Sequence, residues 1–453
     1  MSRLAAVLLC CASFASVAAP EAGVTQAWIQ ADASGGWSVR AVTAESACPS
    51  LRWGQGETVA MLTRAEPTEV APRSGGAQAD AKTSVFTLRS CELKMPANER
   101  LAQVGGFALQ TPAAEVQRIV LLGDSGCRMK KSDNAFQACN DGAEWPLAEV
   151  ARSAAAKQPD LVIHVGDLHY RESPCPAGNS GCAGSPWGYG DDTWRADLFL
   201  PAAPLLTAAP WIFVRGNHES CQRAGVGWFR YFAAQPWSLA NSCQDPQNDV
   251  NGDFSEPYAV AISADTQVIV FDSAFAAGRA YKGDEPAFKR YQSQLASVAL
   301  LAQRKPHNFF INHHPVLGFA GSASGAPKPG FAGLQSVMQS VHPARLFADG
   351  VDLVVNGHYH VFEAVSFSSG HPAELVVGNS ASAMEGRIDP AAARLAQPAP
   401  GAIVETFATQ DGFGFATLDR ITQGWTMTEW SVGGQALKVC TIKGASLNCK
   451  DTR

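Results

Sequence analysis

Carboxylate, amide and imidazole side chains follow five short apolar segments of this sequence, and each set begins where its segment ends. In chain order the sets are GDSG (123–126), GDLHY (166–170), GNHE (216–219), NHHP (312–315) and NGHYH (356–360). Oxygen and imidazole ligands of these types suit Zn²⁺, Mn²⁺ or iron. One Gly-Asp or Gly-Asn pair is an ordinary turn signal, but five sets in this order predict a metal site.

The apolar segments that must position these sets have the length and composition of β-strands buried on both faces. They lie at 118–122, 160–165, 211–214, 309–311 and 351–355, with a further segment of this kind at 268–271. Amphipathic helices are predicted at 144–157 and 284–304, each with a proline near its start. Strands that alternate with helices predict a layered α/β fold, whose ligand sites lie at the carboxyl ends of the strands.

The region before residue 115 has a different pattern. Polar and apolar residues alternate at 24–29, 37–42 and 84–93 without a strong helical period, which predicts a small β domain. Strand-like segments return after about residue 412. We therefore expect an N-terminal β domain at 19–115 and an α/β domain at 116–453.

Residues 1–18 have the features of a secretory signal peptide. Arg3 is basic, residues 4–17 are mostly apolar, and small residues at 16–19 resemble a cleavage site. A buried N-terminal helix is the alternative interpretation. No other segment has the roughly 20 apolar residues that span a membrane, so we expect an exported protein, periplasmic or secreted, with no membrane span.

The cysteines and the net charge limit the chemistry further. Cleavage would remove Cys10 and Cys11 from the 12 cysteines and leave ten. These fall into pairs of sequence neighbours: Cys48 with Cys91, Cys127 with Cys139, Cys175 with Cys182, Cys221 with Cys243, and Cys440 with Cys449. Without Cys-x-x-Cys spacing, we expect local disulfides in an oxidising compartment, with free buried thiols as the alternative. The formal net charge of −6 argues against nucleic acid as a partner.

The ordered motifs resemble those of the calcineurin-like metallophosphoesterases, whose two-metal sites carry GD, GD, GNH, H and GHxH in this order. The resemblance covers about residues 117–430. The GDxG form at 123–126 and the GDxxY form at 166–170 are similar to the purple acid phosphatase branch, in which the tyrosine binds a ferric ion. The resemblance implies that residues 116–453 form a layered metallophosphoesterase catalytic domain, with β-sheets flanked by helices, behind the small β domain.

The same resemblance implies two divalent or trivalent metal ions, iron together with a second iron, zinc or manganese. Their ligands would be Asp124, Asp167, Tyr170 and His360 for the first ion and Asp167, Asn217, His313 and His358 for the second, with Asp167 as the bridge. His313 is chosen over His314 because the family's ligand stands two residues before a proline, here Pro315. His218 matches the histidine that protonates or stabilises the leaving group. Tyr170 as a packing phenol near the site remains the alternative to a bound phenolate.

The function that this resemblance implies is hydrolysis of phosphate monoesters of small molecules by attack of a metal-bound hydroxide. A phosphodiesterase or nucleotidase of the same superfamily is an alternative that would share the site. A secreted binding protein with an inactive fold is the non-enzyme alternative, and the complete set of ligand positions argues against it.

Four further residues beside the motifs are candidates for supporting roles. Arg128 and Arg223 would pair with phosphate oxygens or lie as ordinary arginines on the surface. Glu219 and Glu363 are candidates for carboxylates that orient a histidine.

Overall fold

Two large β-sheets lie at the centre of this protein. The structure is a computed structural model and describes residues 23–54, 56, 58–73, 82–96 and 101–451. The predicted signal peptide lies outside these residues. Among the helices of the described residues, none has the length and apolar character required to cross a membrane.

Strands dominate both regions of the chain. Those of the N-terminal region are β1 (Val24–Ala31), β2 (Trp37–Thr43), β3 (Ser50–Trp53), β4 (Thr58–Ala60), β5 (Leu62–Ala65), β6 (Thr68–Val70), β7 (Ser84–Phe86), β8 (Arg89–Lys94), β9 (Leu101–Val104) and β10 (Phe107–Gln110). Those that follow are β11 (Arg118–Leu122), β12 (Met129–Lys130), β13 (Ala135–Phe136), β14 (Leu161–His164), β15 (Trp211–Phe213), β16 (Tyr258–Ala261), β17 (Thr266–Val270), β18 (His307–Ile311), β19 (Val351–Asn356), β20 (Phe362–Phe367), β21 (Ala373–Val377), β22 (Val404–Gln410), β23 (Gly414–Ile421), β24 (Gly424–Ser431), β25 (Ala436–Lys443) and β26 (Ser446–Asp451).

Eight α-helices lie in the described part of the chain, and two of them are the longer helices that the sequence predicts. They are α1 (Leu147–Ala155), α2 (Asp191–Trp194), α3 (Ala203–Leu206), α4 (Gly225–Tyr231), α5 (Asp249–Gly252), α6 (Pro286–Ala302), α7 (Ala332–Val341) and α8 (Pro390–Leu395). The predicted helices 144–157 and 284–304 correspond to α1 and α6. Pro146 directly precedes α1 and Pro286 begins α6, because proline has no N–H to leave unpaired in the first turn.

The first sheet has the order β26-β25-β24-β23-β11-β14-β15-β1-β2-β8-β5. Its central strands β11, β14 and β15 run parallel, and β1 joins them in parallel with Gln30 opposite Trp211. Strands of the N-terminal region therefore extend the sheet that carries the first three motifs. The predicted division at residues 115–116 lies between two parts of one sheet, and the assignment of separate domains stays a prediction.

The second sheet has the order β16-β17-β18-β19-β21-β20-β22 and packs face to face on the first. Leu121 and Ile163 of the first sheet share one buried cluster with Ile311 and Val355 of the second. Helices α1 and α3 cover the outer face of the first sheet, and α6 and α7 that of the second. The arrangement confirms the predicted layered α/β class, and burial on both faces explains the continuous apolar composition of the strands.

Disulfides join the cysteines that are neighbours in the sequence. Bonds link Cys48 to Cys91, Cys127 to Cys139, Cys175 to Cys182, Cys221 to Cys243, and Cys440 to Cys449. This confirms the expected local pairing.

Candidate metal centre

The five residue sets meet at one edge of the two sheets. Asp124, Asp167 and Asn217 follow β11, β14 and β15 of the first sheet. His313 and His358 follow β18 and β19 of the second. Strands β11, β14 and β15 run parallel to each other, and so do β18 and β19. Their carboxyl ends therefore lie at the same edge, and residues far apart in the chain come together there.

One group of side chains, called here the first position, comprises Asp124, Asp167, Tyr170 and His360. The Tyr170 hydroxyl lies 2.9 Å from Asp124 Oδ1 and 2.8 Å from Asp167 Oδ2. It also lies 2.8 Å from His360 Nε2, which is 3.4 Å from Asp124 Oδ1. All four side chains are buried, so the residues predicted to bind the first metal share one small volume.

The second position comprises Asp167, Asn217, His313 and His358. Asn217 Oδ1 lies 3.0 Å from His358 Nδ1 and 3.1 Å from His313 Nε2. His313 Nε2 in turn lies 3.1 Å from Asp167 Oδ2. The same carboxylate oxygen of Asp167 therefore belongs to both positions, as expected of a bridging ligand.

Backbone carbonyls determine which ring nitrogen of two histidines faces these oxygens. His313 Nδ1 lies 2.9 Å from the carbonyl oxygen of Val165, and His360 Nδ1 lies 2.6 Å from that of Ala383. Each ring donates from Nδ1 and, when neutral, directs the lone pair of Nε2 towards carboxylate oxygen. Lone pairs in this arrangement repel unless a proton or cation lies between them, so the donor set fits metal ions.

The electrostatics of the site favour bound positive charge. Burial tends to raise the pKa of Asp167, but the imidazoles of His313 and His218 hold that pKa well below its usual value. Burial tends to lower the pKa of His313, and Asp167 overrides it and raises that pKa to about 9. Burial, followed by the charges of Asp124 and Asp167, raises the pKa of Tyr170 well above its usual value. A phenolate at Tyr170 therefore requires a cation beside it.

Three of the predicted ligands have left-handed backbone conformations, with φ of 53° at Asp124, 56° at Asp167 and 68° at His358. Such conformations are costly for residues that carry a Cβ, and they concentrate at functional sites. A Cβ at Gly216 would overlap the Asp167 carboxylate, and one at Gly357 would overlap that of Asp124. Glycine at these two positions is therefore required by the close approach of the carboxylates.

His218 lies at the side of the first position. Its ring centroid is 3.9 Å from that of Tyr170, and its Nε2 is 3.9 Å from Asp167 Oδ2. On the other side of the ring, Nδ1 lies 2.5 Å from Glu172 Oε1. Burial, and next the charge of Arg223, lowers the pKa of His218 to about 4. Glu172 therefore holds the Nδ1 side of the ring, whereas Nε2 lies 3.9 Å from Asp167 Oδ2 and 2.8 Å from Arg223 Nη2.

The two arginines have different surroundings. Arg128 forms an ion pair with Asp133 at 3.0 Å and is a quarter exposed. Arg223 is 13 % exposed, donates from Nε to Glu172 over 2.9 Å, and contacts the His218 ring. Arg223 is therefore a half-buried partner of His218 and Glu172, which excludes the alternative of an ordinary surface arginine for this residue.

Glu219 and Glu363 bind backbone amides, so the expectation that they orient a histidine is wrong. The Glu363 carboxylate accepts the N–H of Phe319 over 3.0 Å. Glu219 accepts four N–H groups at 2.9 to 3.1 Å, those of Asp167, Leu168, His169 and Gly216. Glu219 thus joins the loop after β14 to the loop after β15.

Ser273 is a supporting residue that the motifs did not reveal. Its Oγ lies 3.2 Å from the backbone nitrogens of both His313 and His314 and 3.1 Å from His314 Nδ1. Because Oγ accepts the two N–H groups, its own proton is available to His314 Nδ1. A nitrogen of His314 lies within 4.8 Å of those of His313 and His358. The sequence did carry a signal for this residue, since Ser273 follows the predicted strand at 268–271, to which no motif was assigned.

Comparisons with known proteins agree with the fold described above. A family model described as calcineurin-like phosphoesterase matches residues 117–362. The structure of purple acid phosphatase PPD1 from yellow lupin (Lupinus luteus) seeds is similar with a TM-score of 0.55 and 16% identity, covering 90% of this chain and 72% of that one. The structure of PhoD is similar with a TM-score of 0.55 and 12% identity, covering 98% and 94%. No curated protein matches the sequence significantly.

Proposed function

Because the chain belongs to the calcineurin-like phosphoesterase family, we propose that it is an exported binuclear-metal phosphatase that hydrolyses phosphate monoesters. The observation that carries this proposal is the position of Asp167 Oδ2, which lies 2.8 Å from the Tyr170 hydroxyl and 3.1 Å from His313 Nε2. One oxygen thus faces two adjoining sets of donors.

The residues of the first and second positions would hold one ion each. When bound, such a pair of ions polarises the phosphoryl group and lowers the pKa of a water molecule. The protein fixes the donors through the backbone, since Val165 and Ala383 hold the rings of His313 and His360. Orientation fixed in this way avoids reorganisation during the reaction.

His218 is proposed to supply the proton or hydrogen bond that the leaving oxygen requires. Glu172 holds Nδ1, so Nε2, which lies on the side of Asp167 and 2.8 Å from Arg223 Nη2, is the atom that would face the leaving group. The negative charge of Glu172 favours a proton on the ring, whereas burial and Arg223 oppose it and keep the pKa near 4. An imidazole of this kind carries its proton only in acid, which favours hydrolysis at acidic pH.

Iron at the first position is supported by the contacts of Tyr170. Its hydroxyl faces two carboxylates and a histidine nitrogen. If the hydroxyl becomes a phenolate there, it adds negative charge that favours a trivalent ion. Export is supported by the five disulfides, which are typical of oxidising compartments.

The test compares hydrolysis of an aryl phosphate monoester with that of the matched diester, on a sample whose metal content and visible spectrum are recorded. We expect about two metal ions per chain, at least one of them iron, a visible tyrosinate-to-iron absorption, and preference for the monoester. Preference for the diester would support the phosphodiesterase alternative. A sample with two ions and no hydrolysis of either ester would support the binding protein.

A further inference from the structure

We propose that Gln137 is a positioning residue for the first metal position, acting through the segment 381–383. The inference rests on the proposed function, since it concerns the ions that the site would hold. Gln137 lies in the loop closed by the Cys127–Cys139 disulfide, and none of the five motifs includes it.

The side-chain amide of Gln137 is fully hydrogen-bonded. Oε1 accepts the backbone N–H of Arg128 over 3.0 Å and that of Ala383 over 3.1 Å. Nε2 donates to the carbonyl oxygens of Glu144 over 2.7 Å and Ala381 over 2.8 Å. Two acceptor bonds and two donor bonds use the whole capacity of an amide, and the residue is 9% exposed. Gln137 therefore fixes both ends of the segment 381–383.

This segment supports two of the three ligands that belong to the first position alone, His360 and Asp124. The carbonyl oxygen of Ala383 lies 2.6 Å from His360 Nδ1 and thereby orients Nε2 of that ring. The carbonyl oxygen of Asp124 accepts the N–H of Ser382 over 2.9 Å and that of Ala381 over 3.3 Å. These contacts hold Asp124 in its left-handed conformation, so a shift of the segment would displace two donors together.

The ring of His313 at the second position is held by different parts of the chain, while the backbone N–H of His358 donates to Asp124 Oδ2 over 2.8 Å. His313 donates to the carbonyl oxygen of Val165, and the backbone of His313 is fixed by Ser273. Loss of the Gln137 amide should therefore weaken the first metal selectively. A residue that supported only the overall fold would lower stability without distinguishing between the two positions.

The experiment uses the full chain, freed of metal by a chelator and titrated with Zn²⁺ while calorimetry reports the number and affinity of sites. Gln137→Met keeps the length of the side chain and removes its hydrogen bonds. Gln267→Met is the matched control, because Gln267 is also buried and donates two hydrogen bonds, to the Leu301 carbonyl and to Asn308, each over 2.7 Å. It lies in the amino-terminal half of β17, away from the carboxyl ends.

We expect the wild-type chain to bind two zinc ions, and we expect Gln267→Met to bind each of them with the same affinity as the wild type. In Gln137→Met one ion should bind as in the wild type and the other at least tenfold more weakly, which is the usual effect of losing a partner that orients a ligand. Gln137→Glu retains the acceptor bonds to Arg128 and Ala383 but places a carboxylate oxygen against the carbonyl oxygens of Glu144 and Ala381. It should weaken the same ion, and it provides a second variant if the methionine variant does not fold.

Two results would overturn the inference. One is binding of both ions by the Gln137 variants with wild-type affinity, whatever their melting temperature. The other is equal weakening of both ions. A wild-type chain that binds fewer than two zinc ions would instead overturn the proposed function, and the inference with it.

Discussion

The hydroxyl of Tyr170 donates to Asp167 Oδ2 over 2.8 Å, within the loop that follows β14. The two residues are three positions apart in sequence, and the left-handed conformation of Asp167 directs both side chains into the same volume. The phenol thus contacts a carboxylate oxygen that also lies 3.1 Å from His313 Nε2. On the proposed function, the choice of metal at the first position and the coupling of the two positions would depend on adjacent atoms.

Tyr170→Phe should abolish the visible absorption of the iron-loaded enzyme, because it removes the oxygen that would become phenolate. Trivalent iron should also bind more weakly at the first position. Tyr291→Phe is the control, since the Tyr291 hydroxyl is buried without a hydrogen-bond partner in the described structure. Absorption spectra with metal analysis provide the measurement. A fully active, colourless wild-type enzyme that contains only zinc would contradict the role of Tyr170.

Asp167→Asn should lose both metals and the activity together, because one oxygen of this carboxylate faces both positions. Metal content and turnover are measured on the same sample. Asp253→Asn provides a comparison, since Asp253 is a buried carboxylate that accepts the N–H of Cys221 over 2.8 Å. Retention of two ions by Asp167→Asn would be incompatible with the ligand assignment.

His218→Ala should retain both metals and reduce turnover by about 10²- to 10⁴-fold, the usual contribution of a general acid. The reduction should be largest for substrates with poor leaving groups, because these depend most on a proton from the enzyme. A series of aryl phosphates with different leaving-group pKa values measures this. His307→Ala, at a side chain that is 53 % exposed, should have no effect. Equal slowing across the series would argue against the acid role.

Glu374 should make the protein less stable as the pH rises. Burial raises the pKa of Glu374 to about 8, whereas an unfolded chain has a glutamate pKa of about 4.3. The unfolded state therefore loses its proton first, so this contribution to the free energy of unfolding is complete below about pH 4 and is lost as the pH rises to about 8. The free energy of unfolding, measured with denaturant, should differ less between pH 5 and pH 8 in Glu374→Gln than in the wild type. Glu256 is exposed, so Glu256→Gln should show the same difference between the two pH values as the wild type.

The Cys127–Cys139 disulfide should support the first metal position as well as the fold. Replacing both cysteines by serine should cost about 3 kcal/mol of stability, as expected for a short closed loop. Replacing Cys440 and Cys449, whose separation of 9 residues is close to the 12 of the first pair, should cost a similar amount. Zinc titration should show a weakened first ion only in the former. Equal zinc affinities in the two variants would contradict the link through Gln137.

The sequence predicted the core of the site because strand ends are local signals. Asp124, Asp167 and Asn217 each follow an apolar segment and a glycine, and parallel strands bring such positions to one edge. The roles of Glu219 and Glu363 could not be predicted in this way. Their partners are backbone amides, which every residue carries, so no pattern of side chains identifies them.

The amino-acid sequence by itself determined the layered α/β class, the order of the motifs and the local pairing of the cysteines, because each depends on periodicity or spacing within short stretches of chain. Only the tertiary structure decided that β1 extends the sheet of β15, that Asp167 Oδ2 faces both positions, and that Gln137 holds the segment which orients His360. These relationships join residues far apart in the chain through contacts of a few ångströms. Such contacts depend on how the loops pack against each other, and neither composition nor local spacing specifies that packing.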